Sequence, residues 1–428
     1  MTGHKINGVL RVSNENPRYF TDASGRAVYL TGSHTWNTLT DQLSQGIFDY
    51  SAYLELLTRF GHNFFRLWAL DLFRTPEGDN APLPFLRSGP GLAWDGNLKF
   101  DLTRYDEDYF SRLRNRVQLA GASGIYVGVM LFEGWWISHW EEEGWAGHPF
   151  HPDNNLQALP IIRNQLHSLE QSQVVELQER YVEKVIQSVG DLDNVLFEIA
   201  NEDGGGTLEW QEHFVEFVRT YEKQVHYQPH PVGLTFRFPS GTNAELFASQ
   251  ADWISPNSAA QEGYDYKTNP PPANGRKVIL ADTDHIYSQG LGADWVWKCF
   301  TRGLNPLLME GWDMFLINPP ARKAMGQTQS FARRMDLIHM DPLETNTSTR
   351  YCLAHRAGKE FLVYQPESGP FTLDLTGTAK LFCVEWFRPA RGTTVLQKET
   401  VLGGQLRRLN PPWDGEAIAY LRTASQMD

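Results

Sequence analysis

Eight short apolar runs, separated by longer amphipathic segments, are the strongest constraint on how this chain folds. The strand candidates are residues 28–31, 64–68, 125–132, 195–200, 232–236, 253–255, 278–282 and 306–310. Runs that are apolar throughout predict a parallel sheet covered on both faces. Eight strand-then-helix units predict a closed (β/α)8 barrel. An open doubly wound sheet is the alternative layout, but no G-x-G-x-x-G motif follows the first strand.

The segments between these runs and the C-terminal tail complete the predicted organisation. Apolar residues recur at helical spacing in residues 51–60, 109–120, 174–189, 208–225, 295–302 and 327–338. Short strand candidates separated by turn residues fill the tail, at 361–364, 371–375, 381–386, 394–396 and 418–421. We therefore expect a barrel with an N-terminal β-hairpin over residues 1–346 and a small all-β sandwich over residues 347–428.

Composition narrows the class of partner. The formal net charge of −13 argues against nucleic acid or an anionic membrane surface as the main partner. Three cysteines without a CxxC spacing predict neither a disulfide framework nor a zinc site. The N-terminal residues lack the apolar stretch of a signal peptide, and no run of about 18 apolar residues occurs, so we expect a cytoplasmic protein.

Polar and aromatic side chains stand where the predicted strands end, and in a barrel these ends meet at one rim. They are His34 and Trp36 after the first strand, Arg66 and Trp68 after the second, Glu133, Trp135 and Trp136 after the third, Asn201 and Glu202 after the fourth, Arg237 after the fifth, Asp282, Asp284 and His285 after the seventh, and Glu310 and Trp312 after the eighth. Two carboxylates across a cleft suit hydrolysis of a glycosidic bond. Indole rings suit the C–H face of a sugar, so a carbohydrate is the expected substrate.

These residues carry a resemblance to a known family. Asn201-Glu202 after an apolar fourth strand, with Arg66 ending the second, resembles the clan A glycoside hydrolases, which include the family 5 cellulases and mannanases. The resemblance implies that Glu202 is the acid/base and that a carboxylate ending strand seven is the nucleophile. Residues 18–22 and 29–36 resemble the apiosidase-like branch, and residues 361–364 and 411–415 resemble its collagen-binding-type β-sandwich domain.

One departure from the clan's pattern concerns the nucleophile. The clan uses Glu, whereas this chain has Asp284 there, a side chain shorter by about 1.5 Å. We expect Glu202 and Asp284 to be the catalytic pair, with retention of configuration, and Glu133 and Glu310 to be the rivals of Asp284. The other residues at the rim are expected to bind substrate.

Two other functions stay open at this point. A non-catalytic carbohydrate-binding protein on the same barrel would explain the missing Glu. A polysaccharide lyase would need cationic groups for a uronate, and only Arg66 and Arg237 are placed to provide them.

A metal or another cofactor is not expected. His148 and His151 have metal-like spacing, but Pro149 and Pro152 prevent a regular helix there. The chain contains no G-x-S-x-G, H-E-x-x-H or G-x-x-x-x-G-K motif, so esterase, zinc protease and nucleotide hydrolase functions lack their usual signatures.

Overall fold

The computed structural model describes residues 5–69, 72–75, 78–139, 144–258, 265–286, 290–311 and 318–423. Its centre is a sheet of eight parallel strands, which confirms the predicted (β/α)8 barrel. The strands are Gly32–His34 (β1), Phe64–Leu67 (β2), Tyr126–Glu133 (β3), Val195–Asn201 (β4), Val232–Thr235 (β5), Trp253–Ser255 (β6), Val278–Asp282 (β7) and Asn305–Met309 (β8). From β2 to β8 each strand pairs with the next along the chain, and β8 pairs with β1.

The barrel closes where β1 faces β2, and here the sequence prediction was wrong. Residues 28–31 do not form β1, because Ala27–Val28 belongs to an N-terminal antiparallel sheet. Instead Gly32 opens β1, and a Cβ atom there would lie 2.0 Å from the Phe64 carbonyl oxygen. Asn63 joins the two segments, since its amide accepts from Thr31 N at 3.0 Å and donates to Tyr29 O at 2.9 Å. Periodicity cannot reveal a closure made by side-chain hydrogen bonds.

A short helix, Trp135–His139, follows β3, and seven longer α-helices lie in the described part of the chain. They are Tyr50–Phe60 (α1), Glu107–Ala122 (α2), Ser172–Val189 (α3), Leu208–Gln224 (α4), Asn243–Ala248 (α5), Ala293–Thr301 (α6) and Pro319–Arg334 (α7). The sequence placed α7 at 327–338; it begins earlier because Asn318 caps it, accepting from Ala321 N, with proline in its first turn. It ends where the backbone of Met335 becomes extended. Sequence reasoning also missed α5, which starts with a capping box of Thr242 and Glu245.

Additional strands flank the barrel at its N-terminus and after β2. The N-terminal sheet has three antiparallel strands, Arg11–Val12, Phe20–Thr21 and Ala27–Val28. The segment between β2 and α2 holds a long hairpin of Phe85–Leu92 and Leu98–Tyr105, which the sequence analysis did not predict. The same segment contains two short strands, Arg74–Thr75 and Gly78–Ala81. Together with Asp41–Gln42 they form a small three-stranded sheet.

The C-terminal strands form two antiparallel sheets, as the predicted β-sandwich requires. The larger sheet contains Met340–Pro342, Cys352–His355, Glu360–Gln365, Leu381–Arg388, Thr393–Leu396, Val401–Leu402 and Ala417–Thr423, and the smaller one Phe371–Asp374 and Leu406–Leu409. The larger sheet packs on the barrel through aromatic side chains. Trp297 of α6 stacks on Tyr364 at 6.2 Å, and Phe331 of α7 lies 5.4 Å from Phe387. No helix in the described residues combines the length and apolar character needed to cross a membrane.

Candidate active site

Arg66 organises the carboxyl end of the barrel. Its guanidinium is buried and donates to both oxygens of Glu198, at 2.9 and 2.6 Å, and to Asn201 Oδ1 at 2.6 Å. Its remaining nitrogen, Nη1, reaches Asp282 Oδ2 at 3.2 Å and Asp284 Oδ2 at 2.8 Å. One side chain from β2 thereby fixes groups on β4 and at the end of β7.

Asp282 is the deeper of the two aspartates, with a side chain that is fully buried. Trp68 donates its indole N–H to His34 Nδ1 at 3.1 Å, so the ring proton of His34 lies on Nε2. That N–H donates to Asp282 at 2.8 Å. Although burial opposes ionisation, His34 and Arg66 hold the pKa of Asp282 well below its usual range. Asp282 is therefore a buried, fully engaged anion.

Asp284 lies nearer the rim, two residues beyond the end of β7. Its backbone N–H donates to Asp282 Oδ1 at 3.0 Å, which turns its side chain toward the barrel mouth beside Arg66. The side chain is 10% exposed. Burial raises the pKa of Asp284 to about 6, against the attraction of Arg66 and aided by the neighbouring charge of Asp282. The Asp284 carboxylate is thus accessible from the barrel mouth and lies beside a cation.

Glu202 directly follows β4, and its environment differs from that of both aspartates. Its backbone has φ of +42°, a left-handed conformation that costs a non-glycine residue about 1–3 kcal/mol. The side chain is buried, and its Oε1 makes no hydrogen bond within the described part of the chain. Burial raises the pKa of Glu202 well above its usual value, and the charges of Asp284 and Glu133 add to the shift. This environment suits a carboxylic acid that keeps its proton.

Asn201 connects the remaining polar groups. Its Oδ1 accepts from Arg66 and from His285 Nε2 at 3.2 Å, while its Nδ2 donates to Glu133 Oε1 at 3.3 Å. His285 Nδ1 accepts from the Ser255 hydroxyl at 2.6 Å. Burial and the Arg66 charge lower the pKa of His285 well below 6.5, which keeps the ring neutral.

The sequence analysis missed Glu198 and Ser255, although both left a signal. Glu198 is a charged residue inside an otherwise apolar strand, and such a residue needs a buried partner. Ser255 is the last residue of β6, the strand end at which no candidate residue was predicted.

Several predicted residues do not join this cluster. The carboxylate of Glu310 is buried and accepts from Arg322 of α7 at 2.7 and 2.9 Å, so it faces the helix layer. Burial raises the pKa of Glu310 to about 7, with Arg322 opposing the shift. Arg237 donates to the Gly206 carbonyl at 3.0 Å and to Glu245 at 3.2 Å. Trp312 lies outside the described residues.

The tryptophans divide between the cluster and its surroundings. Trp68 is buried, and the Cζ atom of the Arg66 guanidinium lies 4.9 Å from the centre of the Trp68 ring. Trp36 is partly exposed and meets Trp68 edge-on at 6.4 Å. After β3, Trp136 is buried, whereas Trp135 is partly exposed.

One group of side chains has metal-like geometry. The ligand atoms of Asp336, His339 and His355 lie within 4.8 Å of one another. His355 Nδ1 accepts from Ala357 N at 2.9 Å, so its Nε2, which faces Asp336 at 3.3 Å, carries the ring proton. Lys359 also lies 3.4 Å from Asp336. The group is explained by hydrogen bonds and fits a cation poorly.

The histidines considered as metal ligands have local partners. His148 Nδ1 accepts from Phe150 N at 3.1 Å, and His151 Nδ1 accepts from Asp153 N at 3.2 Å. Trp145 stacks on His148 at 6.0 Å. These contacts shape the loop between β3 and α3.

Comparison with known proteins supports the fold. A glycoside hydrolase family 5 protein from Bacteroides vulgatus superimposes with a TM-score of 0.68 over 98% of this chain and 94% of its own, at 12% identity. Another glycoside hydrolase gives a TM-score of 0.64 over 99% of both chains, at 13% identity. This chain therefore has a glycoside hydrolase fold. Residues 80–236 match a family described as a domain of unknown function, DUF6298, and no curated protein matches the chain.

Proposed function

We propose that this protein is a retaining glycosidase in which Glu202 is the acid/base and Asp284 the nucleophile. The observation that carries the proposal is the contrast between two carboxyls at one barrel mouth, the buried Glu202 and the 10% exposed Asp284. Asp284 touches the Arg66 cation, whereas Glu202 has an oxygen without a hydrogen bond among the described residues and a strongly raised pKa. Such a pair divides into one ionised and one protonated group, as glycoside hydrolysis requires.

The first step cleaves the glycosidic bond. A carboxylate oxygen of Asp284 attacks the anomeric carbon while the C–O bond to the leaving group breaks, and the Glu202 proton passes to the leaving oxygen. In the second step the Glu202 carboxylate takes a proton from water. The resulting hydroxide oxygen bonds to the anomeric carbon, and Asp284 leaves as a carboxylate.

The shorter side chain of Asp284 is compatible with this role. β7 ends at Asp282, and Asp284 follows in a turn held by the hydrogen bond from its N–H to Asp282 Oδ1. The backbone thus advances toward the mouth where the clan's glutamate has a longer side chain. This supports Asp284, and not Glu310, as the partner of Glu202.

The charges favour a neutral sugar as substrate. Among the described residues, five carboxyl groups, of Glu133, Glu198, Glu202, Asp282 and Asp284, share this region with the guanidinium of Arg66. All five guanidinium N–H groups have acceptors within the cluster, so none is left for a uronate. Arg237 is engaged elsewhere. This speaks against the polysaccharide lyase alternative.

The carbohydrate-binding alternative also has an argument against it. A strained Glu202 backbone and a buried carboxyl with an unbonded oxygen both lower stability. Proteins keep such features mainly where chemistry needs them.

A screen of nitrophenyl glycosides and plant oligosaccharides tests the proposal. We expect turnover of a neutral glycoside, and NMR of the first-formed product should show the anomer of the substrate. Asp284→Gly should be inactive and recover turnover with azide, giving a glycosyl azide of inverted configuration. An inverted first product, or an Asp284→Gly enzyme as active as the unchanged protein, would contradict the mechanism.

A further inference from the structure

The backbone at Glu202 has a conformation that the surrounding structure must hold in place. Its φ of +42° lies in the left-handed region, which a residue with a side chain adopts only where neighbouring contacts enforce it. β3 pairs with β4 as far as Asn201, whereas within the described residues the register between β4 and β5 ends at Glu198 and Gly233. Contacts other than strand pairing therefore have to hold Glu202 on the side of β5.

Thr235, the last residue of β5, provides such a contact. Its side chain is buried, and its hydroxyl donates to Ala200 O at 2.7 Å and accepts from Glu202 N at 3.4 Å. The hydroxyl thus spans the Asn201-Glu202 pair and acts both as a donor and as an acceptor. In the described part of the chain, no other side chain makes a hydrogen bond to the Glu202 backbone.

Two further hydrogen bonds of this turn join backbone groups. Gly134 N donates to Asn201 O at 2.9 Å, and Gly204 N donates to Glu202 O at 2.7 Å. Such bonds do not depend on a side chain, whereas the bond from Glu202 N requires the hydroxyl of Thr235. We infer that Thr235 is a positioning residue for the general acid, because its hydroxyl fixes the backbone from which the Glu202 carboxyl extends.

This role rests on the proposed function, in which Glu202 protonates the leaving oxygen. The nucleophile is held independently of β5, because Asp284 takes its position from Asp282 and from Arg66 on β2. Loss of the Thr235 hydroxyl should therefore move the acid relative to the nucleophile. Proton transfer requires hydrogen-bond contact between the acid and the leaving oxygen, so it should be impaired more than attack on the anomeric carbon.

Two glycosides with the same glycone test this role, one with an alkyl and one with a dinitrophenyl leaving group. The alkyl group needs a proton to leave, whereas the dinitrophenyl group needs little. Thr235→Val replaces the hydroxyl with a methyl group of similar size. It should lower kcat/KM for the alkyl glycoside by about 10- to 100-fold and for the dinitrophenyl glycoside by less than about 3-fold. Thr235→Ser keeps the hydroxyl and should restore the alkyl value to within about 3-fold of the unchanged enzyme.

Thr31→Val is the matched control. Thr31 is also buried, and its hydroxyl donates to Pro306 O at 2.7 Å, but it lies one residue before β1 begins, so its replacement should not distinguish the two glycosides. If Thr235→Val does not fold, Thr235→Ala against Thr235→Ser gives the same comparison, because only serine keeps the hydroxyl.

The outcomes separate the role of Thr235 from the proposed function. Equal losses on both glycosides, no loss on the alkyl glycoside, or a serine variant as impaired as the valine variant would overturn the positioning role. Failure of the unchanged enzyme to cleave either glycoside, or a Glu202→Gln variant without leaving-group dependence, would overturn the proposed function itself.

Discussion

Glu202 and Glu310 are both buried glutamates at strand ends, and we predict that replacing each with glutamine separates activity from stability. The sequence alone made both of them candidate partners in catalysis. In the structure Glu310 binds Arg322, whereas Glu202 contacts no cation through a hydrogen bond in the described residues.

Glu310→Gln should destabilise the barrel. At pH 8, above its pKa of about 7, Glu310 is an anion that accepts hydrogen bonds from both Nε and Nη2 of a guanidinium that is itself only 2% exposed. Removing one partner of a buried ion pair costs about 3–5 kcal/mol, because the other charge stays buried and uncompensated. For a barrel of this size that is about 4–7 °C in Tm. Because Arg322 lies on α7, turnover per folded molecule should be retained.

Glu202→Gln should give the opposite result. Its burial already disfavours the charged form, so a neutral amide of the same shape should leave Tm unchanged or raise it slightly. Loss of the general acid should lower kcat by about 10²–10⁴-fold on a poor leaving group. Turnover of a dinitrophenyl glycoside, which needs little proton donation, should fall far less in its first step.

Thermal unfolding and steady-state kinetics on both variants at pH 8 provide the test. The reasoning is refuted if Glu310→Gln is inactive with an unchanged Tm. It is equally refuted if Glu202→Gln cleaves the poor leaving group at a near-normal rate.

Three further predictions follow from the same contacts. A plot of kcat/KM against pH should rise through about pH 6 as Asp284 loses its proton and fall at higher pH as Glu202 loses its own; a flat profile across pH 6 would contradict the pairing. His34→Ala removes an N–H donor from the buried Asp282, which then competes for the guanidinium that holds Asp284. The acidic limb of the variant's kcat/KM profile should therefore move to higher pH. Thermal melts should show that its free energy of unfolding is lower by about 1.5–3 kcal/mol. An unmoved limb would mean that His34 has a packing role only. Phe387→Ala opens the contact between sandwich and barrel and should lower the free energy of unfolding by about 3–5 kcal/mol in a denaturant titration, with kcat unchanged.

Much of the fold could be predicted because apolar burial leaves a periodic record. Seven of the eight barrel strands lie where largely apolar runs predicted them. The exception, β1, consists of Gly-Ser-His and is specified by hydrogen bonds from Asn63 and by the small size of Gly32. The start of α7 depends on Asn318 and the prolines after it. A prediction from apolar periodicity treats these residues as the end of a helix.

The candidate site was less predictable, because the direction of a side chain depends on contacts between distant residues. Glu202 and Glu310 each directly follow a barrel strand, and the bond to Arg322, twelve residues beyond Glu310, holds the Glu310 carboxylate away from the mouth. Arg237 follows β5 as a substrate-binding residue would, yet Glu245 of α5 engages it. No sequence spacing encodes which of two nearby acceptors an arginine selects.

The proposed division of roles between Glu202 and Asp284 depends on the charges of the whole cluster. Arg66 contributes the positive charge, and Glu198 and Asp282 together already outweigh it. The two imidazoles add little positive charge. His34 donates through Nε2 while accepting at Nδ1, and burial keeps the pKa of His285 low. A further carboxyl group can therefore ionise only where it contacts the guanidinium. Asp284 makes that contact. Glu202, without such a contact, has to keep its proton, so the acid and the nucleophile proposed above cannot exchange roles while Arg66 is present.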